Sequence, residues 1–586
     1  MLLLPLFMGG AADAVPKAGT VRKDAFLSQL LAARGFETTN SVQKNAAFVL
    51  RSGIVTDAVG NLAAPAARRD VLRWAIQSLG LSAEAQILSG LDMSGLGLLF
   101  KDAKSLSPFD RACLLVAARM EPPLFKNSAS NFGAAGRVSS GEAKALLAAV
   151  RQASRGLRLD LSLSPAPGMT LELHRQGVFS GIPKWRVYID GFDEKTEAEG
   201  LREHLASQGF ATEPSNPNYE WRLGSALLED YAQARRLAAL AVSRGKSARV
   251  FSSLMNSDLE NQPLYWALLT IDPARYTLEP IIAPEGITAL APLSSIAKKS
   301  GVRAALNAGF FAVSGRNRGA PVGVLRIGGT LVNMPYQGRT CLGWSRDAQK
   351  AGTRAAFGEV TWSGQVRLDE GWMSIDSLNR FVKGNAVTLY NPFYGRPTPA
   401  GRQVTEVLVK AGRCVSVTEG GGTLVEPGHY VLAGYGTNAA LLARLLRPGD
   451  AVRIESVFNE GDPLWGGMDN IVQAGPCLIR GGEIRIEPEG FGASVLNLRH
   501  PRSVIGLTEK GKWVLFAGDG RDAMHSVGFT LRETAEILKA KGVAYALNLD
   551  GGGSTELLAG GGLKPLNSPS EKRERPVSYG IGAKAR

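Results

Sequence analysis

The stretch ALNLDGGGSTELL, Ala546–Leu558, carries the decision about this chain. An alternating apolar run begins three residues earlier. Val543, Tyr545, Leu547 and Leu549 fall on one face of an extended chain, and Ala544, Ala546, Asn548 and Asp550 on the other. The run ends at the Asp550 carboxylate, and Gly551, Gly552 and Gly553 follow. Upstream, Thr530 and Glu533 have the spacing of a capping box, Leu531, Ala535 and Leu538 form an apolar stripe, and Gly542 stops the helix. The pattern predicts a helix, a strand and a glycine loop. Small alanines beside Asn548 and Asp550 leave room for a bulky group. The glycines allow close approach and their N–H groups can line an anion site. Ser554 and Thr555 add hydroxyls, and Glu556 a second carboxylate. The plainer alternative is a tight turn closed by an Asx-type hydrogen bond.

Two other segments echo this one. In HPRSVIGLTEKGKWVLFAGDGRD, strands Ser503–Thr508 and Trp513–Ala517 flank a turn at Glu509–Gly511. His500 and Arg502 lead the first strand. The second ends in Gly518, Asp519, Gly520 and Arg521, where an arginine can clamp phosphate with two N–H groups. AALNAGFF, Ala304–Phe311, reads as a short strand ending in Asn307, with Phe311 suited to stacking on a sugar ring.

LNAGFF, QAGPCLIRGGEI, HPRSVIG, FAGDGR, LNLDGGGSTEL and RPVSYGI occur here in the order seen in the phosphodiester glycosidase family, which residues 262–586 resemble. The resemblance implies hydrolysis of a sugar-1-phosphodiester to free sugar and a phosphomonoester. It implies site positions at Asn307, His500, Arg502, Asp519, Arg521, Asn548, Asp550, Gly551, Gly552, Gly553, Ser554, Thr555, Glu556 and Arg575. A glycosyl phosphodiester has a good leaving group, so the demand is to neutralise phosphate and support an oxocarbenium-like sugar. Arg502, Arg521 and the glycine N–H groups suit the first task. Asp550 and Glu556 are the candidates for nucleophile or general base, Asn548 is placed with them, and His500 is a candidate proton donor. A divalent cation could sit at the Asp-rich loops, although no EF-hand spacing occurs, so the cofactor stays open.

Composition bounds the rest. A chain of 586 residues, 45% hydrophobic and 20% charged, suggests several folded domains. Its net charge of +14 favours an anionic partner. No Lys/Arg block or RNA-binding motif argues for nucleic acid. Cys113, Cys341, Cys414 and Cys477 lack zinc spacing; one disulfide and buried free thiols are both open. MLLLPLFMGGAADAVPKAG, residues 1–19, reads as a signal-like segment without a basic start, and no later run is long enough for a membrane helix. An exported, envelope-associated protein is expected.

The fold class expected is multidomain: an α-rich N-terminal repeat region, an α+β ferredoxin-like module and a large strand-rich α+β C-terminal catalytic domain. Residues 20–153 hold recurring amphipathic helices, RKDAFLSQLLAARGF, ARRDVLRWAIQSLGL, SPFDRACLLVAARM and SSGEAKALLAAV, that resemble S-layer homology repeats. The hallmark Thr-Arg-Ala-Glu tetrapeptide is absent. Residues 154–184 read as a linker with one strand. In 185–253, WRVYIDGF alternates Trp185, Val187 and Ile189 against Arg186, Tyr188 and Asp190, and the order βαββαβ follows. This module resembles the SPOR domain, which implies peptidoglycan binding. Two other functions stay open: a non-catalytic wall-glycan binder, and a phosphodiesterase cutting P–O instead of C–O.

Overall fold

The computed structural model describes residues 19–97, 100–125, 130–216, 221–255, 261–346, 353–368 and 371–586. All but the last residue of the signal-like segment therefore lies outside the described residues.

An eight-stranded antiparallel sheet organises the chain. Its order is Arg158–Leu163, Met169–Gln176, Leu264–Ile271, Trp513–Gly518, Arg502–Thr508, Val543–Asn548, Cys477–Arg480 and Glu483–Ile484. Both faces of the central strands are covered. Hence Arg502–Thr508 and Trp513–Gly518 are buried almost throughout, not alternating. Trp513 and Phe516 are fully buried, each worth roughly 1.5–3 kcal/mol of transfer free energy.

The expected linker at 154–184 is corrected here. It contains two strands of this sheet, paired in register from Arg158↔Gln176 to Leu163↔Leu171, and then the start of Ile182–Phe192. Residues 262–586 are correspondingly not a self-contained sheet. The misreading has a physical source: Ser164, Pro165, Pro167 and Gly168 have turn chemistry, and they drew the reading away from the period-2 alternation of the flanking RLDLSL and MTLELHRQ. On the far side, the helices Lys23–Ala33, Arg68–Ser78, Pro108–Arg119 and Ser140–Ala153 share one continuous apolar core with the sheet, from Phe26 and Trp74 to Leu515 and Ile505. The helical region is one packed layer of a larger body.

The inserted module has the predicted element order. Strands Ile182–Phe192, Thr212–Ser215, Trp221–Ser225 and Ser247–Met255 alternate with helices Lys195–Ser207 and Tyr231–Ser243. The strands lie in the order second, third, first, fourth, that of a split βαβ sandwich. Trp185, Val187 and Ile189 bury against Ala198, Leu205, Ala234 and Leu237 on the helices. Among the described residues the opposite face carries no helix.

A second, five-stranded antiparallel sheet runs Lys564–Pro565, Leu557–Ala559, Ala304–Asn307, Tyr579–Ala585, Tyr276–Ile282. Further sheets fill residues 325–473. The four cysteines are buried and free. Among the described residues no helix is long and apolar enough to cross a membrane.

Candidate active site

The capped helix Leu531–Ala540 and the strand Val543–Asn548 form as the sequence predicts, with both capping-box hydrogen bonds present. The chain then leaves the eight-stranded sheet and enters the five-stranded one at Leu557. Residues 549–556 are the crossing. Leu549 N–H donates to Ser503 O at 2.8 Å, Asp550 N–H to Ala308 O at 2.9 Å, and Gly552 N–H to Pro501 O at 3.0 Å.

The three glycines are required by close approach of protein groups. A Cβ on Gly551 would stand 2.5 Å from Pro501 O, and one on Gly553 2.4 Å from Glu571 Oε1 and 2.6 Å from Arg575 Cζ. Gly552 has φ +62° and faces the Arg521 guanidinium. The expected anion nest is revised accordingly. The Gly552 N–H is spent on Pro501, and the glycines let two arginines crowd the turn.

Asp550 is half-buried at this turn. Burial pushes its carboxyl up to about 6, partly offset by the Ser554 hydroxyl and by Arg575 and Arg521. Arg521 adopts φ +61°, a left-handed conformation that is uncommon for a side chain of this size. Its Nη2 donates to His500 Nδ1 at 3.2 Å, and His500 Nε2 donates to Ser494 O at 3.0 Å. The ring is thus neutral with both nitrogens committed. Burial, with Arg521 and Arg502 nearby, holds it below the ordinary histidine range. These contacts set His500 against Arg521. Arg575 is ion-paired with Glu571, which also receives Arg249 Nη1 at 3.1 Å.

Several expected site residues serve the frame instead. Arg502 is buried and gives Nε to Phe529 O at 3.0 Å and Nη2 to Val495 O and Leu498 O at 2.9 Å, which occupies the fork expected to hold phosphate. The buried Asp519 accepts from His525 Nε2 at 2.8 Å, Ser568 N at 2.7 Å and Asn567 Nδ2 at 3.0 Å. Asn307 donates to Asp550 O at 2.6 Å and accepts from Ser503 Oγ at 2.6 Å and Glu556 N at 3.1 Å. Asn548 donates to Gly475 O at 2.8 Å and Leu549 O at 3.0 Å. Phe311 packs on the apolar cluster of Leu293, Ile296 and Leu558. Three buried oxygens of the loop, Asn548 Oδ1, Ser554 Oγ and Thr555 Oγ1, have no hydrogen-bond partner among the described residues.

Glu556 is separated in chemistry from Asp550. It is 3% exposed, Oε1 has no hydrogen-bond partner among the described residues, and Glu574 lies beside it. Burial and that like charge push its carboxyl up to about 9, so it is protonated at neutral pH. Glu574 itself accepts from Ser294 N at 3.2 Å and Ser294 Oγ at 2.6 Å. Glu571 and Glu574 were not singled out by sequence. The i,i+4 spacing of Glu571 and Arg575, directly before RPVSYGI, was the available signal. No group of three or more His, Cys, Asp or Glu among the described residues is arranged to hold a metal.

A half-buried carboxylate between two arginines, on a glycine turn at a sheet junction, is what the comparisons bear on. Residues 403–584 match the family model of phosphodiester glycosidase. The match includes Asp550, Arg521 and Arg575 but begins after Asn307 and Phe311. The chain is 37% identical over 82 residues to the uncharacterized SPbeta prophage-derived protein YomE of Bacillus subtilis, which is 14% of this chain and 12% of that protein. It is 36% identical over 97 residues to the human N-acetylglucosamine-1-phosphodiester alpha-N-acetylglucosaminidase, which is 15% of this chain and 18% of the human protein. The chain thus spans less than a fifth of these relatives. A crystal structure of a candidate exported protein from Burkholderia pseudomallei K96243 resembles 73% of this chain and 96% of its own, with a TM-score of 0.55 and 22% identity. That likeness is one of fold.

Proposed function

We propose that the protein hydrolyses a sugar-1-phosphodiester at the Asp550 turn, releasing free sugar and a phosphomonoester. The observation that carries this reading is the placement of Asp550 with Arg521 and Arg575, inside the span that matches the phosphodiester glycosidase family. The two arginines neutralise the phosphate and stabilise it as it leaves. Asp550 supports the oxocarbenium-like sugar, either by direct attack or by activating water. Asn307 fixes the backbone beneath Asp550. His500 positions Arg521. Glu556, protonated and paired with Glu574, takes no proton at neutral pH.

The helical layer and the inserted module attach an exported enzyme to envelope glycan, and the sugar is removed from an envelope polymer or oligosaccharide. The resemblance of the module to SPOR domains and of the helices to S-layer homology repeats supports that placement.

The test is release of free sugar from a panel of sugar-1-phosphodiesters in ¹⁸O water. Label in the sugar supports the reading. Label in the phosphate assigns P–O cleavage. No release, with firm retention on purified peptidoglycan, would leave a wall-binding protein.

A further inference from the structure

The inserted module turns its helix-free sheet face toward the Asp550 turn. Arg249 on its last strand donates to Glu571 Oε2 at 3.1 Å, and Ser252 Oγ to Asp522 Oδ1 at 2.7 Å. Between the two lies a cavity of about 410 Å³, lined among others by Arg186, Tyr188, Arg222 and Arg249 of the module and by Arg521 and Glu571 of the site. The cavity is therefore continuous with the arginine that flanks Asp550.

Its charges do not balance internally. Asp190 is shared by Arg222, at 3.0 Å, and Arg249, and Glu571 is shared by Arg249 and Arg575. Arg186 and Arg521 have no ion pair among the described residues. Arg186 Nε is buried and has no hydrogen-bond partner there. Arg186 lines the cavity without a carboxylate partner, so an anionic oxygen entering it can accept from this guanidinium. Arg222 stands over the Tyr188 ring at 5.3 Å from its centroid, so the wall beside Arg186 is a cationic and aromatic surface.

We infer that this sheet face completes the substrate cleft and that Arg186 binds a second phosphate on the aglycone side of the scissile phosphodiester. The substrate class is then a glycosyl phosphodiester whose leaving group is itself phosphorylated. The inference rests on the glycosidase reading above.

The test uses the full chain and two substrates with the same sugar. One has a methyl phosphodiester, the other a propyl phosphodiester ending in a phosphomonoester. The wild type is expected to favour the second in kcat/KM by about tenfold or more, as a charged hydrogen bond allows. Arg186→Gln is expected to bring that ratio close to one. Arg235→Gln, exposed on the module's helix, keeps it. Binding of propane-1,3-bisphosphate by calorimetry is the readout that needs no turnover, and Arg186→Gln should weaken it about tenfold. Arg186→Lys replaces the Gln variant if that one fails to fold. Equal kcat/KM for both substrates in the wild type, or bisphosphate binding indifferent to Arg186, overturns the inference. Binding that depends on Arg186, without sugar release from either substrate, supports the cleft and sinks the glycosidase reading.

Discussion

Asn307 and Asp550, 243 residues apart in the chain, are joined by a hydrogen bond of 2.6 Å from the Asn307 side chain to the Asp550 carbonyl. The same side chain accepts from Ser503 and from the Glu556 N–H. One buried amide thus ties a strand of the five-stranded sheet to both ends of the glycine loop and to a central strand of the eight-stranded sheet. Asn307→Ala is expected to lower kcat far more than it raises KM, because the carboxylate is displaced while the arginines remain. A change in KM alone would refute this positioning role.

Asp550→Asn keeps the shape of the side chain and removes its charge. Sugar release is expected to fall by roughly 10²–10⁴-fold, with the melting temperature unchanged or raised, since burial disfavours the carboxylate. Retained activity in this variant would move the chemistry elsewhere.

The pH profile follows from the same group. If the ionised Asp550 is the working form, kcat/KM declines as pH falls through about 6. Arg575 favours the carboxylate, so Arg575→Gln should shift that acidic limb to higher pH. A limb that stays in place would mean that Asp550 is not the titrating group.

Glu556 predicts a pH dependence of stability. Its carboxyl is pushed from an ordinary 4.5 to about 9 by folding. The folded state therefore binds more protons across that window, and its stability declines as pH rises through it. Glu556→Gln removes this decline. Thermal melts of the two proteins should agree near pH 4 and diverge by pH 8, with the variant the more stable. Parallel curves would count against the burial of this acid.

His525 links distant parts of the chain. It bonds Asp519 at 2.8 Å and Glu84 at 3.1 Å, and Glu84 also holds Arg175 at 2.7 Å. Flanking carboxylates push it up to about 9 although burial opposes this. Its stabilising contribution is full below about 6.5 and is lost as pH rises toward 9. His525→Ala leaves two buried carboxylates short of a cation and should cost about 3–5 kcal/mol, read by urea unfolding. A chain starting at residue 262 loses Glu84, Arg175 and two sheet strands, and is expected to be insoluble.

Much of the local structure was legible. The capped helix, the strand before Asp550 and the strand–helix order of the inserted module each carry a period and a stop signal of their own. The site was legible only in part, because residue type does not reveal how a side chain is spent. Arg502 and Asp519 look like ligands for phosphate and sugar, yet their polar atoms hold backbone and side chains in place. The strands Arg158–Leu163 and Met169–Gln176 pair with each other, but what joins them to the large sheet is Leu264–Ile271, almost ninety residues further on. Pairing at that range leaves no local pattern.

That last pairing has a mechanical consequence. Met169–Gln176 and Leu264–Ile271 are neighbours in one sheet, and the whole ferredoxin-like module is spliced between them. A domain hung from a chain terminus explores a wide volume, whereas one stitched at both ends to adjacent strands is confined. The arginine wall is accordingly held at a high local concentration beside the Asp550 turn. It cannot be shed by trimming either end of the protein without unravelling the sheet that carries the turn.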